Sequence, residues 1–156
     1  MTPPSGRAQG LPDHEAAGPR SRRTTEPPDH GGHDHDMSIS THVLDATSGR
    51  PAAGLELALS RQDAGQWHEL TRRRTDADGR ASDLAAGAGL TDADSGAGPG
   101  IYRIVFLTEA YLKAQSPAAE TFYPEVVIIF RVTDPAGHHH VPLLLSPYAY
   151  STYRGS

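Results

Sequence analysis

The sequence predicts an all-β domain, a sandwich of about eight strands with one short helix, behind a disordered N-terminal leader. Three observations predict this fold. Residues 1–36 carry few apolar side chains, whereas residues 37–156 hold the only Trp, all six Tyr and all three Phe. Short apolar or alternating runs recur along residues 37–156. Clusters of turn-forming residues separate these runs, as between the strands of a sandwich.

Residues 1–36 are predicted to be disordered, because so little apolar surface cannot offset the entropy lost on ordering. The leader ends in the run 30–36 (His-Gly-Gly-His-Asp-His-Asp), a pattern that can hold a metal. We interpret the run as a solvated polar tail and leave metal binding open. Met37 stands where the composition changes, so the folded domain is predicted to span residues 37–156. Whether Met37 is the true start also stays open.

Each predicted strand rests on an apolar run or on period-two alternation, which buries one face of a strand. The helix is predicted over Glu109–Ala114, where good helix formers follow one another. The predicted strands are Ile39–Leu44, Leu55–Ser60, Trp67–Thr75, Arg80–Leu84, Ile101–Thr108, Glu125–Thr133, His138–Leu145 and Pro147–Tyr153.

Two local patterns are interpreted as ordinary surface. The run Arg72-Arg73-Arg74 is predicted to be a solvated strand edge. Residues 85–100 are rich in Gly, Ala and Asp and are predicted to form a surface loop. Within it, residues 92–96 resemble a calcium loop, but the later Glu and the full ligand spacing are missing. We therefore interpret them as plain loop.

Composition excludes several classes of protein. No apolar run approaches the roughly 20 residues of a membrane span, and the N-terminus lacks the apolar segment of a secretory signal. The absence of Cys excludes a disulfide scaffold, a thiol nucleophile and Cys-ligated zinc. A net charge of −5 gives no basic excess for nucleic acid. We expect no membrane or nucleic-acid partner and a cytoplasmic location, since the chain does not end in the peroxisomal Ser-Lys-Leu.

The segment 138–146 is the most informative, because alternation divides it between two faces. One face reads as core and carries His139, Val141, Leu143 and Leu145. The other carries His138, His140, Pro142, Leu144 and Ser146. This second face is too mixed for a core and too apolar for plain solvent, which is typical of a subunit contact or a ligand cavity. Of the three consecutive His, only His138 and His140 can converge.

Several motifs resemble the transthyretin family. Residues 146–152 (Ser-Pro-Tyr-Ala-Tyr-Ser-Thr) carry the resemblance, and the ending Tyr-Arg-Gly-Ser at 153–156 resembles the C-terminus of its enzymatic branch, the 5-hydroxyisourate hydrolases. The hormone-carrier branch does not end in this way. Further matches lie at residues 40–45, 49–52, 75–80 and 122–125. The resemblance covers residues 38–156 and implies a transthyretin-like sandwich that forms a homotetramer, a dimer of dimers with active sites in the channel between the dimers.

The resemblance also implies the site residues. His42, Arg80 and His140 match the family's catalytic positions, and His42, Arg80, Tyr153 and Ser156 match its substrate-binding positions. One residue departs from the pattern, because the position between the two His is usually aromatic and is His139 here. Alternation turns His139 toward the core side, so we expect altered packing there and unaltered catalysis.

The implied reaction is the hydrolysis of 5-hydroxyisourate to 2-oxo-4-hydroxy-4-carboxy-5-ureidoimidazoline in urate degradation. Attack of water on a ring carbonyl needs a base with a pKa near the working pH, which His supplies. A guanidinium can orient the ring and stabilise the developing oxyanion. The sequence does not decide which His is the base. Without Cys or a three-ligand zinc pattern, we expect a mechanism with no metal and no cofactor.

Three other interpretations stay open. A transthyretin-like carrier would bind a small ligand without catalysis, and it would need neither the converging His and Arg nor the terminal Tyr-Arg-Gly-Ser. A zinc-binding module could use His138, His140 and the His of the leader. A purely structural sandwich would leave the mixed face of residues 138–146 unexplained.

Overall fold

The computed structural model describes residues 37–86, 98–118 and 120–156. The predicted leader and the calcium-like run 92–96 lie outside the described residues. Within them, strands and one helix form two sheets, which confirms the predicted all-β sandwich. The elements are β1 (Ser38–Asp45), β2 (Arg50–Pro51), β3 (Glu56–Asp63), β4 (Gln66–Arg74), β5 (Arg80–Ala81), β6 (Gly100–Phe106), α1 (Thr108–Gln115), β7 (Val126–Val132), β8 (His138–His140), β9 (Leu143–Leu145) and β10 (Tyr150–Thr152).

The first sheet is organised around β1. Strands β2 and β5 pair with β1 in antiparallel fashion, β8 and β9 pair with it in parallel, and β10 pairs with β9. Ser38 lies opposite His138 and Val43 lies opposite Leu143 in the parallel ladders. The beginning and the end of the domain are therefore neighbours. The second sheet is antiparallel, in the order β4-β3-β6-β7.

The core lies between the sheets and is filled by alternate residues of their strands. The largest fully buried side chains include Tyr102, whose hydroxyl donates to the carbonyl of Gly98 at 2.9 Å and so is satisfied inside the core. The core residues of the strands on the two sheets are Ile39, Val43, Leu57, Leu59, Ala81, Tyr102, Ile104, Phe106, Val126, Ile128, Val132, Leu143 and Leu145.

The predicted strand His138–Leu145 is divided into β8 and β9, which corrects the prediction. Pro142 has no backbone N–H, so the ladder cannot run through it. The chain stays attached to β1 at the break, because the amide of Val141 donates to the carbonyl of Ser40 at 2.9 Å. The hydroxyl of Thr152 donates to the Pro142 carbonyl at 2.8 Å.

Two more predicted strands are shorter than expected, and β2 was not predicted. Strand β5 ends at Ala81, and Asp83 then adopts the left-handed region with a φ of 52°, which interrupts the extended chain. Strand β10 begins only at Tyr150, because the amide of Ser146 donates to the Ala149 carbonyl at 2.9 Å and closes a turn.

The predicted helix is present, and the arginine run lies on a solvated strand edge as predicted. Tyr111 of α1 donates its hydroxyl to Asp45 of β1 at 3.2 Å, and burial together with this carboxylate raises the pKa of Tyr111 to about 12. Arg72 lies on the edge strand β4, exposed and paired with Glu56 at 3.0 Å. Among the described residues, no helix has the length and apolar character needed to cross a bilayer.

Candidate active site

A tight turn between β4 and β5 presents Arg80 to β1. Asp76 Oδ1 accepts hydrogen bonds from the amides of Asp78 and Arg80, both at 2.9 Å. Gly79 has a φ of +71°, and a β-carbon there would lie 2.5 Å from the carbonyl oxygen of Val43. Only glycine allows this close approach, so Gly79 lets the turn pack directly against the backbone of β1. Arg80 then lies directly opposite His42 in the β1–β5 ladder.

The parallel pairing of β1 with β8 brings in His140. Ser40 is the register partner of His140 and lies two residues before His42, so both of these β1 residues point to the same face. The rings of His138 and His140 stack at 14°, with centroids 6.1 Å apart. The pairing registers thus place His42, Arg80 and His140 on one face of the first sheet.

The surroundings of His140 favour its neutral form. Burial is the main cause, and the charges of His138, Arg80 and His42 add to it, so the pKa of His140 falls below its ordinary value of about 6.5. A His that stays neutral at pH 7 can accept a proton, and the lowered pKa makes it a weaker base.

The C-terminal tetrapeptide returns to His140. The amide of Gly155 donates to the His140 carbonyl at 2.9 Å, and the two residues form an antiparallel bridge. Tyr153 is 60% exposed and lines, with His140 and Arg154, a cavity of about 380 Å³. Ser156 follows Gly155 and is exposed. The tetrapeptide therefore contacts His140, whereas His42 and Arg80 do not line this cavity.

A family model described as the HIUase/Transthyretin family matches residues 39–155. The chain belongs to this family. It is 46% identical over 120 residues to a 5-hydroxyisourate hydrolase of Caulobacter vibrioides, an alignment that covers 76% of this chain and 97% of the relative.

Solved structures of the family agree with the fold. The Klebsiella pneumoniae 5-hydroxyisourate hydrolase superposes with a TM-score of 0.62 and 31% identity, over 77% of this chain and 99% of the other. Transthyretin from Sparus aurata superposes with a TM-score of 0.63 and 29% identity, over 75% of this chain and 95% of the other. Backbone similarity alone therefore does not separate the two branches of the family.

Ser40 and His138 lie beside His140 but are not among the site residues that the family resemblance implied. The Ser40 hydroxyl lies 2.9 Å from His140 Nδ1 and 3.1 Å from His138 Nε2, and His138 Nδ1 lies 3.0 Å from the Ser38 hydroxyl. Alternation alone could have placed Ser38, Ser40 and His42 on one face. Their contact with β8 depends on a parallel register that no local pattern reveals.

His139 lies at the margin of the core. It is half-buried, with Nδ1 3.0 Å from the Gly137 carbonyl oxygen, and it lines the same cavity as Val141 and His140. The structure confirms that it leaves the face shared by His138 and His140 and corrects its depth, because the loop at Gly137 holds its ring near the surface. In the part of the chain that the structure describes, no three His, Asp or Glu side chains are grouped to hold a metal ion.

Proposed function

We propose that this family member hydrolyses 5-hydroxyisourate to 2-oxo-4-hydroxy-4-carboxy-5-ureidoimidazoline, the ring-opening step in urate degradation. One observation carries the proposal: two His and one Arg share a face, and the environment of one of these His favours its neutral form. The relatives named 5-hydroxyisourate hydrolase support the reaction.

In the proposed mechanism His140 is the general base. It takes a proton from a water molecule whose oxygen attacks the carbonyl carbon of the six-membered ring. The ring C–N bond then breaks, and its nitrogen takes a proton, so one water is consumed and a carboxylate is formed. The favoured neutral form of His140 supports this role, because an imidazolium has no lone pair to accept the proton. His42 lies on the same face and assists in holding the water.

Arg80 is proposed to bind the substrate and stabilise the oxyanion. Its guanidinium carries a permanent charge and five donors in a rigid fork, which suits a planar, oxygen-rich ring. The Asp76 turn and the pairing with His42 fix the backbone of Arg80, so the side chain starts from a defined position. Tyr153 and Ser156 are proposed to close the pocket from the C-terminal end.

We propose a homotetramer, assembled as a dimer of dimers, in which the site face is covered by another subunit. Exposed aromatic side chains support the assembly, because large exposed apolar groups mark contact surfaces. Phe122 is 67% exposed and Tyr148 is 65% exposed. We also propose that residues 37–156 carry the whole activity. The cytoplasmic location and the metal-free, cofactor-free mechanism stay predictions.

A small-ligand carrier is the second candidate, since transthyretin from Sparus aurata has a closely similar backbone. The two functions differ in what happens to a bound molecule. A carrier would retain its ligand, whereas the arrangement of His140 and Arg80 provides a base and a cationic donor for a reaction.

The test uses the full chain with 5-hydroxyisourate generated in situ by urate oxidase, followed by absorbance. We expect decay faster than the spontaneous rate and appearance of the ureidoimidazoline product. A decay equal to the blank, with substrate still bound at equilibrium, would favour the carrier. Metal analysis of the purified protein accompanies the assay, and a stoichiometric metal required for turnover would contradict the metal-free mechanism.

A further inference from the structure

His140 belongs to a row of four hydrogen-bonded side chains that leads from the site to the surface. In order, the hydrogen bonds connect His140 Nδ1 to the Ser40 hydroxyl at 2.9 Å, this hydroxyl to His138 Nε2 at 3.1 Å, and His138 Nδ1 to the Ser38 hydroxyl at 3.0 Å. Ser40 is only 9% exposed, whereas His138 is exposed. The row therefore begins at a half-buried ring and ends near solvent.

The Ser40 hydroxyl has one proton and two nitrogen neighbours, so it can donate to only one of them. If Ser40 donates to His140 Nδ1, then His138 must donate to Ser40 from Nε2, and neutral His140 carries its proton on Nε2. In the opposite polarity His140 donates from Nδ1 and leaves Nε2 free to accept. The hydrogen bonds thus link the tautomers of His138 and His140 through one hydroxyl.

We propose that Ser40 is a positioning residue that sets the tautomer of His140 and passes protons between His140 and His138. This inference rests on the proposed role of His140 as base. When His140 Nε2 takes a proton from water, its Nδ1 proton moves to Ser40, the Ser40 proton moves to His138 Nε2, and the His138 Nδ1 proton moves to Ser38. Ser38 releases one proton to solvent, so one proton enters the row and one leaves it.

The reverse transfer resets the row. His140 Nε2 then gives its proton to the departing ring nitrogen, and a proton from solvent returns through Ser38, His138 and Ser40 to His140 Nδ1. His140 stays neutral at both stages. This fits its surroundings, because burial first and then the nearby charge of Arg80 oppose an imidazolium at this position.

The first test is Ser40→Ala, which removes the hydroxyl from a buried strand position. We expect kcat to fall roughly 10- to 100-fold, by analogy with the loss of a hydrogen-bond partner that orients a metal-ligating His, with KM nearly unchanged. Ser40→Thr restores a hydroxyl and should recover most of kcat. Ser60→Ala is the matched control, since Ser60 is also buried but lies on β3 of the other sheet.

Two readouts separate proton transfer from packing. In mixtures of H2O and D2O, kcat of the parent should depend on the deuterium fraction along a curve, because several protons move together, and Ser40→Ala should make this dependence linear. Imidazole nitrogen shifts in NMR should show a changed tautomer of His140 in Ser40→Ala, with exposed His68 unchanged as the internal reference.

His138→Gln provides a second variant at an exposed position, in case Ser40→Ala unfolds the strand. Gln can still bond to Ser40 but cannot exchange protons between two nitrogens, so the curved dependence should also be lost. Parent kcat and parent isotope dependence in both variants would overturn the relay. A loss of kcat with an unchanged tautomer and unchanged curvature would overturn it too, in favour of packing. Parent activity in His140→Ala would instead refute the proposed base, whatever Ser40 does.

Discussion

Gly155 packs its α-carbon directly on the imidazole of His140. A β-carbon at position 155 would overlap the ring, lying 2.9 Å from Cγ and 3.0 Å from Cβ of His140. At such distances something must move, either the imidazole of His140 or the backbone that pairs residues 140 and 155. The glycine of the terminal Tyr-Arg-Gly-Ser is therefore explained by the space that His140 occupies.

Gly155→Ala should displace the His140 ring and lower kcat. Because misplacing a catalytic group by about 1 Å can cost on the order of 100-fold, we expect a loss of that size with little change in melting temperature. Gly98→Ala is the control, since a β-carbon at Gly98 would meet nothing within 4 Å and its φ is not positive. Equal kcat in Gly155→Ala and the parent would show that the ring tolerates the shift.

Alanine at each proposed catalytic residue should reduce turnover without dissolving the fold. For His42 and His140 we expect losses of about 10²–10⁴ in kcat/KM, and for Arg80 of about 10²–10³. His68→Ala and Arg73→Ala, at exposed positions of β4, are the matched controls. Turnover is measured with freshly generated 5-hydroxyisourate, and size-exclusion chromatography checks assembly. If one of the three variants hydrolyses the substrate as fast as the parent does, the residue it replaces has no part in the mechanism.

Deleting Tyr153–Ser156 should abolish activity while circular dichroism stays that of a β-sandwich. The deletion removes the Gly155–His140 bridge and the Tyr153 wall of the cavity, yet no strand of the two sheets. Chromatography separates two causes of a loss, since an inactive deletion variant that assembles as the parent does has lost a function of the tetrapeptide itself and not its assembly. Full activity in the shortened chain would exclude the tetrapeptide from the site.

The acid limb of the pH profile should lie below pH 6.5, because burial first and neighbouring charges second lower the pKa of His140. Unfolded His140 binds a proton more readily than folded His140. The contribution of His140 to the free energy of unfolding is therefore fully present above about pH 6.5. It is lost as the pH falls through the lowered pKa of the folded state. Arg80→Gln removes one positive neighbour and should raise the pKa of His140 in an NMR titration. An acid limb above 6.5 would contradict the assignment.

Removing residues 1–36 should leave kcat/KM and the melting temperature unchanged, because the family match begins at residue 39 and the described residues from Met37 onward form a core among themselves. Activity and thermal unfolding of the shortened and full chains, side by side, provide the check. A shortened chain that folds but no longer turns over substrate would assign a catalytic role to the leader.

The local sequence pattern was enough to predict which residues share a face of a strand, but it could not predict which strands pair with each other. Alternation predicted that His138 and His140 share a face, and the ring stacking confirms it. It could not predict that Ser40 lies between them, because the register of β1 with β8 joins residues 100 positions apart. The strand break at Pro142 was foreseeable from its missing amide, whereas the end of β5 depends on the left-handed Asp83. The family resemblance supplied the roles of His42 and Arg80, which spacing alone does not imply.

The parallel pairing of β1 with β8 and β9 has a consequence for synthesis. At about 5–20 residues per second, a ribosome makes β1 roughly 5–20 seconds before the strands that cover it, since their partners are 100 residues apart. During that delay Ile39 and Val43, fully buried in the finished fold, have no strand from the C-terminal end beside them. The face that carries His42, Arg80 and His140 therefore cannot form before β8 has been made, and its formation requires the closure of a loop of about 100 residues.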